Sequence, residues 1–230
     1  MKVIGVTGGV GAGKSEVLGY IAEHWNATVV EADEVGYLVM RPGKACYSAI
    51  VDLFGTEIVK EDQTLDRELI AKIVFENKEM LAKMNGIVHP AVKEYIKKAI
   101  KREEENETNI FIVEAALLIE DKYDEICDEL WYIYADEETR MERLKQNRGY
   151  SEEKCRSIFR NQLSEDEFSD HCDFEIDNSD DFEKMDCKDT PLGDESKRFE
   201  LHELKEALRN KSGNLFSKIE KHADRAETVL

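Results

Sequence analysis

The chain is short of positive charge: 32 Lys and Arg stand against 51 Asp and Glu, a formal net charge of -19. That balance argues against a nucleic-acid partner or an anionic membrane surface, both of which need a basic footprint. Any phosphate chemistry must therefore use a local cluster of bases. The five cysteines are odd in number and form no Cys-x-x-Cys, so neither a disulfide framework nor a zinc site is suggested. No apolar run reaches the ~20 residues that span a bilayer. No basic and apolar leader precedes the first apolar stretch, and no internal repeat shows. These absences lead us to expect a cytoplasmic protein with reduced thiols, no membrane or nucleic-acid partner, and a monomeric or weakly homo-oligomeric state.

The most informative stretch that is present is Gly8-Gly9-Val10-Gly11-Ala12-Gly13-Lys14-Ser15, which fits G-x-x-x-x-G-K-[ST]. Its surroundings suit a phosphate-binding loop. Lys2 to Thr7 reads as an apolar strand, and from Lys14 to His24 the residues Val17, Leu18, Ile21 and Ala22 share one helical face. Glycines let successive N–H groups turn inward around a polyphosphate, and the new helix adds the positive end of its dipole. Gly8, Gly11, Ala12, Gly13 and Glu16 are expected around the nucleotide, with Lys14 on its β- and γ-phosphates and the Ser15 hydroxyl on Mg²⁺.

Ala27 to Val30 reads as a second strand running into Glu31-Ala32-Asp33. Ligands of open parallel sheets bind outside the carboxyl ends of the strands, so these acids are expected to share a crevice with the loop. Asp33 then has two readings. It accepts a proton from an attacking hydroxyl, or it N-caps a helix over Glu34 to Met40. Helical patterns run over Ala45 to Phe54, Arg67 to Phe75, Lys78 to Asn85 and Pro90 to about Glu104, with Pro90 in a first turn and His89 a cap-region residue or a substrate contact. Ile110 to Val113, ending at Glu114, and Leu130 to Tyr134, ending at Asp136, are continuous apolar runs that suit a buried parallel sheet. Glu114 either holds Mg²⁺ through water or caps the segment after the strand.

Glu137 to Asn147 reads as a helix, Arg148-Gly149-Tyr150 breaks it, and Ser151 caps another. Arg140, Arg143, Arg148, Arg156 and Arg160 make this the local basic cluster that the composition requires. Two arginine-lined helices on a hinge can close over a nucleotide and neutralise transferred charge. Arg143 and Arg148 are expected to do so, whereas Arg140 and Arg156 are expected to pair with surface glutamates. The acidic stretch Glu165 to Glu183 reads as a solvated face, and Cys172 to Asn178 as a short last strand with a polar exit. Asp186 to Arg198 reads as a linker, and Phe199 to Asn210 is amphipathic through Leu201, Leu204 and Leu208.

On several motifs taken in order, the chain resembles the dephospho-CoA kinase family. These are Gly5 to Ser15, Ala32-Asp33, Arg41-Pro42-Gly43, Phe54-Gly55, Leu65-Asp66-Arg67, His89-Pro90-Ala91-Val92, Leu117 to Glu120, Arg143 and Arg148, and Asp173 to Asn178. The resemblance implies an α/β, three-layer phosphate-loop kinase fold with a central five-stranded parallel sheet. It implies a kinase domain over 1–185 carrying a helical substrate-binding insertion at about 34–106 and a lid at about 137–167; it does not extend to 186–230, which reads on its own composition as a polar linker and helical extension. It further implies ATP and Mg²⁺ as cofactors and transfer of the γ-phosphate to the ribose 3′-hydroxyl of dephospho-CoA. Asp33 would be the base, Lys14 and Arg143 would share the catalysis, and Glu31 and His89 would contact substrate. The chain departs from the family pattern at Glu16, Glu31, Tyr37 and Ala116. Other nucleotide kinases share this equipment, as does a catalytically idle nucleotide-binding module. Asp33-Glu34-Val35-Gly36 fits the D-x-x-G of a GTP switch, but no Asn-Lys-x-Asp comes after it.

Overall fold

The computed structural model describes residues 1–179 and the backbone of 198–200. Its sheet has the strand order β2-β3-β1-β4-β5-β6, with β1 Lys2–Thr7, β2 Ala27–Glu31, β3 Ile110–Glu114, β4 Glu129–Tyr134, β5 Phe174–Asp177 and β6 Arg198–Glu200. β1 pairs in parallel with β3 on one side and β4 on the other, and β5 is parallel to both β4 and β6. A central parallel strand is covered on both faces, which is why Val3 to Thr7 are buried without alternation. Helix α1 (Lys14–His24) lays Val17, Leu18 and Ile21 against Ile4, Ile112, Ile133 and Ile176 of the sheet.

The sheet carries one strand more than the five expected. Arg198–Glu200 add to β5 in parallel, where the sequence suggested the end of a linker and the start of an amphipathic segment. The unpaired N–H and C=O groups of a β5 edge are a template for such an addition. The rest of the linker and extension expected over 186–230, with Cys187, lies outside the described residues.

Two compact units emerge: Met1–Val29 with the described residues from Thr108 on, and Val30–Glu107. The second is helical, built from α2 (Ala32–Val39), α3 (Tyr47–Phe54), α4 (Arg67–Glu76) and α5 (Lys78–Glu105). The two helices expected on either side of Asn85 to Pro90 are one continuous α5. Proline removes the bond its N–H would make to the carbonyl of Gly86. Gly86 and Pro90 are both exposed, so water can take that carbonyl, while Val88, Val92 and Ile96 hold the buried face in place. Asn77 caps the helix by accepting from the N–H groups of Glu79 and Met80.

The first unit carries α6 (Glu137–Arg148) and α7 (Glu152–Phe159), which meet through Met141, Leu144 and Cys155. Asp136 and Ser151 cap them, and Gly149 closes α6 in the left-handed conformation. The first part of the acidic stretch after Ser164 is a helix and not only a solvated face. In α8 (Glu165–His171), Ser164 and Glu167 form a capping box, and buried Phe168 stacks on Tyr132 with ring centroids 4.8 Å apart. Asp166, Glu167 and Asp170 are exposed, Glu165 is half-buried, and Phe168 supplies the docking.

Candidate active site

The loop joining β1 to α1 opens at the carboxyl end of the central strand, where the chain leaving β1 passes β3 to reach β2, and the chain leaving β3 passes β1 to reach β4. Gly13 holds the N-cap of α1 with φ +83, a left-handed backbone that side chains rarely adopt, and a Cβ there would collide with the Asn178 amide. The Asn178 Nδ2 donates to the Ala12 carbonyl at 2.8 Å, and Arg143 Nη1 approaches the same oxygen at 3.5 Å. Asn178 comes directly after β5 and is itself fixed through its N–H to the Tyr134 carbonyl.

Lys14 lies back along the loop. Its Nζ donates to the Gly8 carbonyl at 2.9 Å and stands 3.5 Å from Glu114 Oε1. The parallel register opposes Val6 to Glu114, and this sets the carboxylate beside the root of the loop. Both side chains are largely buried. Ser15 is exposed in the first turn of α1, beside the equally exposed Glu16. One hydroxyl and one carboxylate suit Mg²⁺, a hard cation that keeps several waters and is held by few protein oxygens together with substrate phosphates. Among the described residues no three His, Cys, Asp or Glu gather into a dedicated metal cage.

The arginines separate differently from the expectation. Arg156 does pair with Glu137 and Glu152, on the surface. Arg140 does not: it is buried at 8% exposure, donates from Nε to the Val10 carbonyl at 3.1 Å and from Nη2 to Gln162 Oε1 at 2.7 Å, and lies over the Phe159 ring. Its neighbours among the glutamates made it read as a surface residue, but the small Gly9 and Gly11 open a berth for it. Burial lowers its pKa from the ordinary value. Arg148 is exposed in the last turn of α6.

In the helical unit, α2 begins at Ala32, with Glu31 at its N-cap position. Asp33 is therefore exposed in the first turn and is not the cap. Tyr37 lies one turn later on the same face, and the Arg67 guanidinium lies 3.5 Å above its ring. Both line a groove of about 960 Å³ contained within this unit. Met40, Ile70 and Met84 give it an apolar part, and Arg41, Lys60 and Arg67 outnumber Glu34 and Glu68 among its charged lining. His89 is half-buried on α5, not in a cap. The expected site residues did not include Gln162 or Asn178, and gave Arg140 a surface role; only Asn178 stood in a motif, the polar exit of β5.

Removing the Asn178 amide should loosen the loop. With Asn178→Ala the buried Ala12 carbonyl loses its short donor, a change that costs about 1–3 kcal/mol. Denaturant unfolding should show a loss in that range, and an unchanged midpoint would mean that water replaces the amide.

A profile of the dephospho-CoA kinase family matches residues 2–184. The dephospho-CoA kinase of Carboxydothermus hydrogenoformans is 34% identical over 179 residues, covering 78% of this chain and 86% of that protein. That of Oceanobacillus iheyensis is 34% identical over 179 residues, covering 77% and 88%. The crystal structure of a Thermus thermophilus protein superposes with a TM-score of 0.67 at 26% identity, covering 78% of this chain and 89% of that one. With the phosphate loop at the end of the central strand, the lysine clamped at its root and the helical unit beside it in sequence, the chain belongs to the dephospho-CoA kinase family and is an ATP-dependent kinase of coenzyme A synthesis.

Proposed function

We propose that the γ-phosphate of ATP is transferred to the ribose 3′-hydroxyl of dephospho-CoA. Lys14 binds the β- and γ-phosphates, and the loop amides receive the rest of the polyphosphate. Arg143 and Arg148 balance the charge that spreads over the transferred group. Ser15, with Glu114 through water, would hold Mg²⁺, which would supply positive charge to offset that of the phosphates. Asp33 accepts the hydroxyl proton as the new O–P bond forms, and the bond from the γ-phosphorus to the bridging oxygen breaks to release ADP. The observation that carries this reading is Lys14, its ammonium held by the Gly8 carbonyl over the root of the phosphate loop.

The acceptor lies along the groove of the helical unit, its pantetheine arm on the apolar part and its pyrophosphate on the cations. Tyr37, where a base is usual, still serves: its ring fixes the Arg67 guanidinium by a cation–π contact worth ~0.5–1 kcal/mol at an exposed site. Glu31 and His89 are further acceptor contacts on this reading. Arg67→Ala should raise the KM for dephospho-CoA about tenfold and leave that for ATP within about twofold, the worth of one charge-assisted contact. Equal KM values for dephospho-CoA in variant and wild type would place the acceptor elsewhere.

The reaction itself is tested by ADP release with Mg²⁺ and ATP, comparing dephospho-CoA with AMP, CMP and no acceptor. Release with dephospho-CoA alone supports the reading, and release with a nucleoside monophosphate instead would overturn the acceptor. We place the reaction in the cytoplasm; Cys46, Cys127, Cys155 and Cys172 are all free, which suits a reducing compartment. Among the described residues no helix is long and apolar enough to cross a membrane.

A further inference from the structure

Arg140 and Gln162 form a closed circuit around one residue of the phosphate loop. The Val10 N–H donates to Gln162 Oε1 at 3.2 Å, Arg140 Nη2 donates to the same oxygen at 2.7 Å, and Arg140 Nε donates to the Val10 carbonyl at 3.1 Å. The guanidinium rests on the Phe159 ring, with 4.3 Å from Cζ to its centroid. On its other side it fills the space above Gly9, where any Cβ would strike it, and its own backbone lies against Gly11. The Val10 side chain joins Met141, Leu144 and Cys155 between α6 and α7.

A buried cation is costly unless its partners are good. Among the described residues Arg140 has no carboxylate within ion-pair distance; its hydrogen bonds go to this circuit. A residue that only filled space between the loop and α6 would be cheaper as an apolar side chain. What the guanidinium does that no apolar group can is fix the direction of a carbonyl.

That direction matters because a peptide is planar and trans, so its C=O and the following N–H point opposite ways. Turning the Val10 carbonyl toward Arg140 aims the Gly11 N–H away from it. The same holds two residues on, where Asn178 takes the Ala12 carbonyl and so aims the Gly13 N–H. Carbonyls of alternate residues are thus held from behind, and the Gly11 and Gly13 amides are turned toward the phosphate side as an anion-binding nest, while the Ala12 N–H between them donates to the Gly9 carbonyl.

We propose that Arg140 and Gln162 are a positioning pair for ATP: they lock the Val10 peptide, and through it the amides that receive phosphate, before nucleotide arrives. Neither residue touches ATP. The lid helices α6 and α7 are anchored to the loop at their base, and the loop is set without waiting for a ligand to order it. This inference rests on ATP occupying the loop.

The test is a set of variants, Arg140→Gln, Gln162→Leu and the double variant, measured for KM of ATP, KM of dephospho-CoA, kcat and equilibrium ATP binding by calorimetry. Arg140→Gln should weaken ATP binding and raise its KM about tenfold, with the KM for dephospho-CoA within about twofold. Gln162→Leu, at a half-buried position that tolerates an apolar side chain, should give a smaller rise of the same kind. The double variant should be no worse than Arg140→Gln, because both residues act on one peptide and their effects cannot multiply. Unchanged ATP affinity in Arg140→Gln, an equal rise in both KM values, or multiplying effects in the double variant would overturn the proposal. Lys14→Ala, run alongside, keeps the two failures apart: if it loses ATP affinity and Arg140→Gln does not, the latch is wrong while the loop assignment stands.

Discussion

Lys14→Ala should lower kcat by about a hundred- to a thousandfold, the usual consequence of removing one preorganised donor from developing charge. Three features of its setting argue for the large end. The ammonium is largely buried, so its field is poorly screened. The Gly8 carbonyl at 2.9 Å holds the side chain along the loop, so little ordering is left to do when phosphate arrives. The third is Glu114 at 3.5 Å, whose carboxylate is left without this ion pair, near the phosphate loop, in the variant. Lys14→Arg should not restore activity, since a planar fork cannot replace a compact point charge in this berth. Single-turnover ADP formation measures the chemical step directly. A variant that turned over at even a tenth of the wild-type rate would move the charge-stabilising role from Lys14 to the arginines.

The same residues show how far the sequence could be read. The strand, loop and helix at the start were legible to the residue, because Lys2–Thr7 is a nearly unbroken apolar run and glycine spacing leaves little choice of backbone between it and α1. The strands Ile110–Glu114 and Glu129–Tyr134 were legible for the same reason. Failures came where a distant partner decides. Nothing near Arg140 tells that its hydrogen bonds go to a carbonyl 130 residues earlier; its glutamate neighbours point to a surface pair. Pro90 reads locally as a helix start, and only the buried row Val88, Val92 and Ile96 carries the helix through it. Ser164 and Glu167 did hold a local signal, the capping box, but the density of acids around it concealed the single buried Phe168. The sixth strand depends on a free sheet edge, which no local pattern of Arg198–Glu200 encodes.

The other large effect is expected at Asp33. Asp33→Asn keeps the size of the side chain and an oxygen that can accept a hydrogen bond, but removes the carboxylate that would take the proton, so only the base role is tested. Loss of a positioned base costs roughly a hundred- to ten-thousandfold in rate. The side chain is exposed in the first turn of α2 and is not its cap, so stability should stay within about 0.5 kcal/mol, as for surface sites generally. The KM for ATP should hold, because Asp33 belongs to the helical unit and not to the phosphate loop. Glu31, at the N-cap position of the same helix, is the natural comparison: it makes no side-chain cap bond, and Glu31→Gln should slow the reaction far less if the proton goes to Asp33 alone. Turnover close to wild type in Asp33→Asn, with Glu31→Gln the slower of the two, would transfer the role to Glu31. Turnover close to wild type in both would mean that phosphoryl transfer here needs no protein base, and that positioning and charge carry the whole acceleration.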